Sequence, residues 1–330
     1  MSRKHLWILV VSVLAIVAIS AGAVDAAKGG KPGKPPPEPD PSANPEIVCD
    51  LRIKNKGYLA VMDADGSNVT PLYSGSAHWG TWFPDGQYIA VKNNVNPRYQ
   101  LWRMDADGSN PEYLTHPITD RPRWSPAPEG ASSHDLIAYV ASYDYDVMVI
   151  DAFGGTPSKL LDATIDTDPD YGYYWSAPTW SPDGSRLAAL RLYEHGSRPD
   201  EVVIVDSDDP ESETVLGDGF TYLGFENLAW ARQHDWLALF GTRDGVRGTY
   251  VLDIDTGDAT LAVEEKYRPT WSQDDSKLVT MSLGYEGACE HLYVYTFADA
   301  SLEDLGCGTF PEWKRCVTDP DTGVCEIPEP

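Results

Sequence analysis

The heptapeptide MDADGSN occurs at residues 62–68 and again, 42 residues further on, at 104–110. A second landmark, a tryptophan opening a tight turn, recurs with the same step. TWFPDG stands at 81–86 and TWSPDG at 179–184, with weaker copies RWSPAPEG at 123–130, AWARQHD at 229–235, TWSQDD at 270–275 and EWKRC at 312–316. The tryptophans are Trp82, Trp124, Trp180, Trp230, Trp271 and Trp313, spaced by 42, 56, 50, 41 and 42 residues. A step of this length is one four-stranded propeller blade. The landmarks therefore predict an all-β, six-bladed β-propeller of antiparallel blades, with insertions before Trp180 and Trp230.

Local chemistry agrees. In Pro-Asp-Gly, proline presets φ, Asp bonds its own backbone and Gly takes φ > 0. A short apolar run follows each turn, and a second run leads into the Asp-rich turn; runs this short between turn residues read as strands. Ile47 precedes Asp63 by 16 residues, as Ile89 precedes Asp105. Residues 47–52 thus form a second strand with no Trp-bearing inner strand before it, while residues 309–313 form an inner strand with no blade after it. The expected closure joins one C-terminal strand to three N-terminal strands, which removes open sheet edges.

The MDADGSN and TWSPDG patterns resemble the repeats of TolB-type propellers over residues 46–316. The resemblance implies the propeller fold; in the TolB family a partner of the cell envelope is bound by a domain outside the propeller. The TolB family carries a separate N-terminal domain ahead of its propeller; here the repeats begin directly after a linker.

Residues 1–27 read as an export signal, or as an uncleaved anchor: Arg3 and Lys4 precede an apolar run at 6–19 and small-residue cleavage options at 21–26. Residues 28–45, rich in Pro, Gly and Lys, form a linker, and 317–330 form a tail. The expected location is periplasmic or secreted. Five cysteines fit an oxidising compartment. Cys289 and Cys307 flank the third and outer strands of one blade and are expected to bridge. Cys316 and Cys325 close the tail loop, or Cys49 pairs with either, which leaves one thiol over.

With 51 Asp plus Glu against 25 Lys plus Arg, the formal net charge is −26. That field excludes nucleic acid as a partner and disfavours binding of the propeller to an anionic membrane. Asp63, Asp65, Asp105 and Asp107 offer calcium-type oxygens, but their Asp-x-Asp-Gly spacing lacks the further acidic ligand of a calcium loop and is explained by turn formation. No cofactor is expected.

Propellers bind ligands where the inner strands open onto the central channel. Aligned on the tryptophans, the fourth residue before each is His78, Asp120, Ser176, Glu226, Tyr267 and Thr309. The third residue before is Trp79, Arg121, Ala177, Asn227, Arg268 and Phe310. Their diversity, against the repeated proline one step on, marks them as a binding funnel. Trp175, in the insertion before Trp180 with Tyr171, Tyr173 and Tyr174, joins it as an aromatic ligand surface or packs the inserted loop. The candidate ligand-binding residues are therefore His78, Trp79, Asp120, Arg121, Trp175, Glu226, Asn227, Tyr267, Arg268 and Phe310.

No Gly-x-Ser-x-Gly elbow, zinc-ligand spacing or phosphate loop occurs, and His78, Asp120 and Glu226 read as rim residues before they read as a metal set. No catalytic residue is assigned. The expected function is a monomeric binding module for a protein or peptide. Two alternatives stand beside it: a polysaccharide-active lyase or hydrolase using His78, Tyr267 and Arg121 or Arg268 on an acidic glycan, and a non-catalytic surface domain.

Overall fold

A computed structural model describes residues 46–53, 56–74, 77–95, 98–126, 134–164, 172–193, 199–282, 284, 289–314, 317–318 and 325–326. The export signal, the linker, Tyr171 and Cys316 lie outside the described residues, as do the side chains of Glu226, Asn227 and Cys325.

Six four-stranded antiparallel sheets form the propeller. Blade I is Thr309–Trp313, Ile47–Ile53, Lys56–Met62 and Thr70–Ser74, in that order from the axis outward. Blade II opens with the inner strand Ala77–Trp82, blade III with Arg123–Trp124, blade IV with Tyr173–Trp180, blade V with Phe220–Trp230 and blade VI with Lys266–Trp271. Each inner strand touches the inner strand of the next blade all the way round. Ring closure follows the expected register: Ile47 pairs with Trp313, Val48 with Glu312 and Asp50 with Thr309.

The core is divided among the seams between neighbouring blades. Ala138, Val140 and Val147 of blade III pack on Trp175, Trp180 and Leu187 of blade IV. Ile47, Cys49 and Met62 of blade I pack with Trp313 on Val279, Met281 and Leu292 of blade VI. The repeat tryptophans are all at least 96% buried, and some stitch one blade to the next. The indole N–H of Trp124 donates to the Thr81 carbonyl, that of Trp180 to the Arg123 carbonyl and that of Trp271 to the Ala229 carbonyl, each accepting residue standing directly before the preceding tryptophan.

The MDADGSN turns have the same geometry in both copies. Asp63 accepts from Asn68 Nδ2 at 2.7 Å and Asp65 from the Ser67 amide at 2.8 Å; Asp105 and Asp107 do the same with Asn110 and Ser109. Gly108 has φ +82°, and a Cβ there would lie 2.8 Å from the Leu72 carbonyl oxygen of blade I. The turn glycine thus serves both the local φ and the close approach of neighbouring blades.

Cys289 and Cys307 form the expected disulfide, with Cα atoms 5.7 Å apart. His291 brings its ring within 4.8 Å of both sulfurs, which the bridge already occupies. Cys49 carries a free thiol, fully buried in the seam between blades VI and I. Its side chain packs into that seam. Burial, then the Asp50 carboxylate, pushes the thiol pKa up and keeps it unreactive. Among the described residues no helix is long and apolar enough to cross a membrane.

Candidate functional site at the channel

The third residue before the landmark tryptophan breaks the regular inner strand. Trp79, Ala177, Arg268 and Phe310 all have φ between 51° and 59°. Strand pairing slips there, between His78 and Thr81, Ser176 and Thr179, and Tyr267 and Thr270. None of these residues favours a left-handed conformation, so their bulges store strain that the surrounding fold must hold. Groups nearby satisfy the amides they turn out of register. The Trp79 N–H donates to Asp50 at 3.2 Å, the Phe310 N–H to the Met281 sulfur at 3.4 Å and the Ala177 N–H to Asp120.

The bulges gather three side chains into one half-exposed cluster. The Trp79 and Phe310 rings lie 5.1 Å apart, centroid to centroid. The Arg268 guanidinium sits 4.0 Å from the Phe310 centroid and 5.6 Å from that of Trp79, with Tyr267 also in reach. Lys92 Nζ lies 3.5 Å from the Trp79 centroid while donating to the Thr119 carbonyl. A tryptophan approached by two cations is positioned by the ring quadrupole. Beside it, His78 Nδ1 is hydrogen-bonded to Asp50 at 3.1 Å, and the imidazole remains 42% exposed. Burial pushes the Asp50 carboxyl up, against the opposing pull of His78 and Arg121.

Below the mouth the character changes. Glu312, 4% exposed, stands one residue before Trp313 and collects three arginines. Arg121 Nη1 lies 3.2 Å and Arg123 Nη1 3.0 Å from its Oε2, and Arg232 Nη2 lies 3.6 Å from its Oε1. Arg121 also donates to the Pro311 carbonyl, and Arg232 to the Trp313 carbonyl. Blades I, III and V are thereby tied together across the axis. Burial, then the neighbouring Arg123, draws the Arg121 pKa down to about 10 against the pull of Glu312.

The structure thus brings His78, Trp79, Tyr267, Arg268 and Phe310 together. Arg121 lies deeper, in the buried cluster. Asp120 is fully buried and accepts from Ser176 Oγ, the Ala177 amide and the Arg121 amide. Trp175 is 1% exposed, belongs to the seam between blades III and IV, and donates to the Asp162 carbonyl; the mouth does not receive it. Tyr173 meets Trp175 and Tyr193 edge to face, and Tyr174 lies tilted against Tyr145, packing the insertion. Sequence reasoning missed Asp50, Lys92, Arg123, Arg232 and Glu312. Asp50 and Lys92 occupy the same place in the second strands of blades I and II, three residues after Ile47 and Ile89, and a charge there in an apolar strand was the available signal.

No family model matches the chain. An uncharacterized protein of Agrobacterium fabrum is 29% identical over 140 residues, which are 39% of this chain and 41% of that protein, so the match spans less than half of either. Among solved structures, TolB from Acinetobacter baumannii superposes with a TM-score of 0.66 at 16% identity, covering 82% of this chain and 67% of that one. A TolB structure from Agrobacterium tumefaciens gives 0.53 at 15% identity, covering 81% and 92%. The fold is a TolB-like six-bladed β-propeller. At these identities the likeness is one of fold.

Proposed function

We propose that the chain is an exported binding module that docks a protein or peptide of the cell envelope at the channel mouth. The observation that carries this reading is the half-exposed cluster of Trp79, Phe310 and Arg268, held by strained bulges in separate blades. Aromatic and arginine side chains of this kind dominate protein interfaces, and building them on rigid strands limits the entropy lost on docking. The TolB-like fold supports a protein partner, and the apolar segment at 6–19 supports export. The acidic remainder of the surface turns away polyanions, leaving the mouth as the basic, aromatic spot on which a partner is selected.

The test is capture from envelope extract by the full-length chain, compared with Trp79→Ala, Phe310→Ala and Arg268→Ala. Loss of one such anchor is expected to weaken the specific partner about 30-fold or more. Recovery of every partner by all three variants refutes the reading.

One observation favours a second reading. His78, held through Nδ1 by the buried Asp50, keeps a half-exposed imidazole next in sequence to Trp79, whose ring Arg268 approaches, an arrangement that can remove a proton from an acidic sugar. Uronate release from acidic glycans that His78→Asn abolishes would support this reading; no release would remove it.

A further inference from the structure

We infer that the channel contains an anion-binding site at the guanidinium cluster gathered on Glu312, which takes a small anion: a halide, or a carboxylate carried by a docked chain. The inference concerns a position below the mouth and does not rest on the docking reading.

The first observation is charge. Arg121, Arg123 and Arg232 converge on one carboxylate, each guanidinium side chain being at most 7% exposed. The set carries three positive charges against one negative, inside a chain whose overall formal charge is −26. Arg268 adds a further cation near Arg121, with the carboxylates of Asp50 and of the fully buried Asp120 on that side; Asp275 faces Arg232 from blade VI, where it accepts from the Arg232 amide at 2.7 Å. Buried cations are ordinarily matched one to one. Here three guanidiniums share Glu312, while the flanking carboxylates of Asp50, Asp120 and Asp275 are also engaged elsewhere, by His78, Ser176 and His234.

The second observation is geometric. Arg121 Nη2, and Nε and Nη1 of Arg232, are buried donors with no hydrogen-bond partner among the described residues. Glu312 meets other nitrogens: its Oε2 accepts from Arg121 Nη1 and Arg123 Nη1, and its Oε1 faces Arg232 Nη2. Water would accept their hydrogen bonds; an anion accepts them as charge-assisted bonds, which are about twice as strong as neutral ones. The depth and burial of the cluster restrict the occupant to one compact group, which excludes a bulky polyanion. A halide and a carboxylate on a thin stem both meet this limit of size.

The experiment follows thermal unfolding of the full-length chain against sodium bromide and, separately, sodium formate, at constant ionic strength. A ligand that binds only the folded chain raises Tm saturably. A saturable rise is expected in the wild type and in Arg98→Gln, a substitution on an exposed hairpin. In Arg121→Gln the midpoint concentration is expected to increase about tenfold or more, the weight of one charge-assisted hydrogen bond. If Arg121→Gln fails to fold, Arg232→Gln replaces it, and an anomalous map of a bromide-soaked wild-type crystal decides directly. A bromide peak within hydrogen-bonding reach of Arg121 or Arg232 supports the site. Bromide on the outer surface alone, or a response unchanged by both substitutions, overturns it. The two sources separate by competition: a peptide with a free C-terminal carboxylate that displaces bromide, when its amide does not, assigns the site to a docked chain, and failure of both to displace it assigns a resident small ion. Trp79→Ala keeps the bromide response if the mouth and the anion site are independent, so failure of one proposal remains distinct from failure of the other.

Discussion

Replacing Glu312 by Gln keeps the shape of the side chain and removes the one carboxylate on which Arg121, Arg123 and Arg232 converge. All four side chains are at least 93% buried. Breaking a buried charge pair by deleting one partner costs about 3–5 kcal/mol, because the remaining charge stays desolvated. The glutamine carbonyl still accepts one hydrogen bond, but its amide group points N–H donors at a guanidinium. At about 2–4 °C per kcal/mol for a domain of this size, Tm should fall by about 6–20 °C, nearer the lower figure because the propeller is large. Differential scanning calorimetry reads the fall, and near-UV dichroism at low temperature confirms that the tryptophan seams are intact. Formate should recover part of the loss, since it restores a carboxylate to the cluster. A cooperative transition displaced by less than about 2 °C would show that the cluster is not held by Glu312, and the cross-axis tie would have to be abandoned. The exposed pair Arg186–Asp235, at 2.8 Å with both side chains at least 31% accessible, is the internal comparison: Asp235→Asn should change stability by under about 1 kcal/mol.

Trp180→Ala, which empties the seam between blades III and IV and removes the bond to the Arg123 carbonyl, should cost about 3–5 kcal/mol in urea unfolding. Gly108→Ala places a Cβ at positive φ against the Leu72 carbonyl and should cost about 1–3 kcal/mol by the same assay, with Gly257→Ala, which meets no neighbour, costing less. Cys289→Ser with Cys307→Ser opens a loop of 18 residues and should cost about 3 kcal/mol, matched by reductant acting on the wild type. Ser109, by its side chain and by the amide that donates to Asp107, holds the Asp107 carboxyl below the ordinary 3.8. Its contribution to stability is therefore complete above pH 3.8 and lost as pH falls through the lower folded value. Asp107→Asn should accordingly flatten the acid limb of the stability profile, measured by urea midpoints from pH 5 to 2.

The sequence by itself determined the architecture, because a propeller is a local unit repeated. Trp82 through Trp313 mark the inner strands, and the two MDADGSN copies set the register. The displaced phases of Ile47 and Trp313 require that the ends meet in one blade. The Cys289–Cys307 bridge was legible for the same reason: both residues belong to one hairpin. Trp79, Arg268 and Phe310 could be aligned as equivalent positions from their distance to the next tryptophan. Their left-handed backbone could not be read, since Trp, Arg and Phe carry no turn preference; the bulge is imposed by neighbours that capture the displaced amide, such as Asp50 for Trp79 and Met281 for Phe310. The fate of Trp175 was likewise undecided in the sequence, because an aromatic residue in an insertion reads the same whether it faces a ligand or a seam. Only tertiary structure assembled the cluster of Arg121, Arg123, Arg232 and Glu312. Those residues come from blades I, III and V, and nothing local to any of them signals the others. Their meeting depends on ring closure, which turns the inner strands of distant repeats toward one axis and out of water.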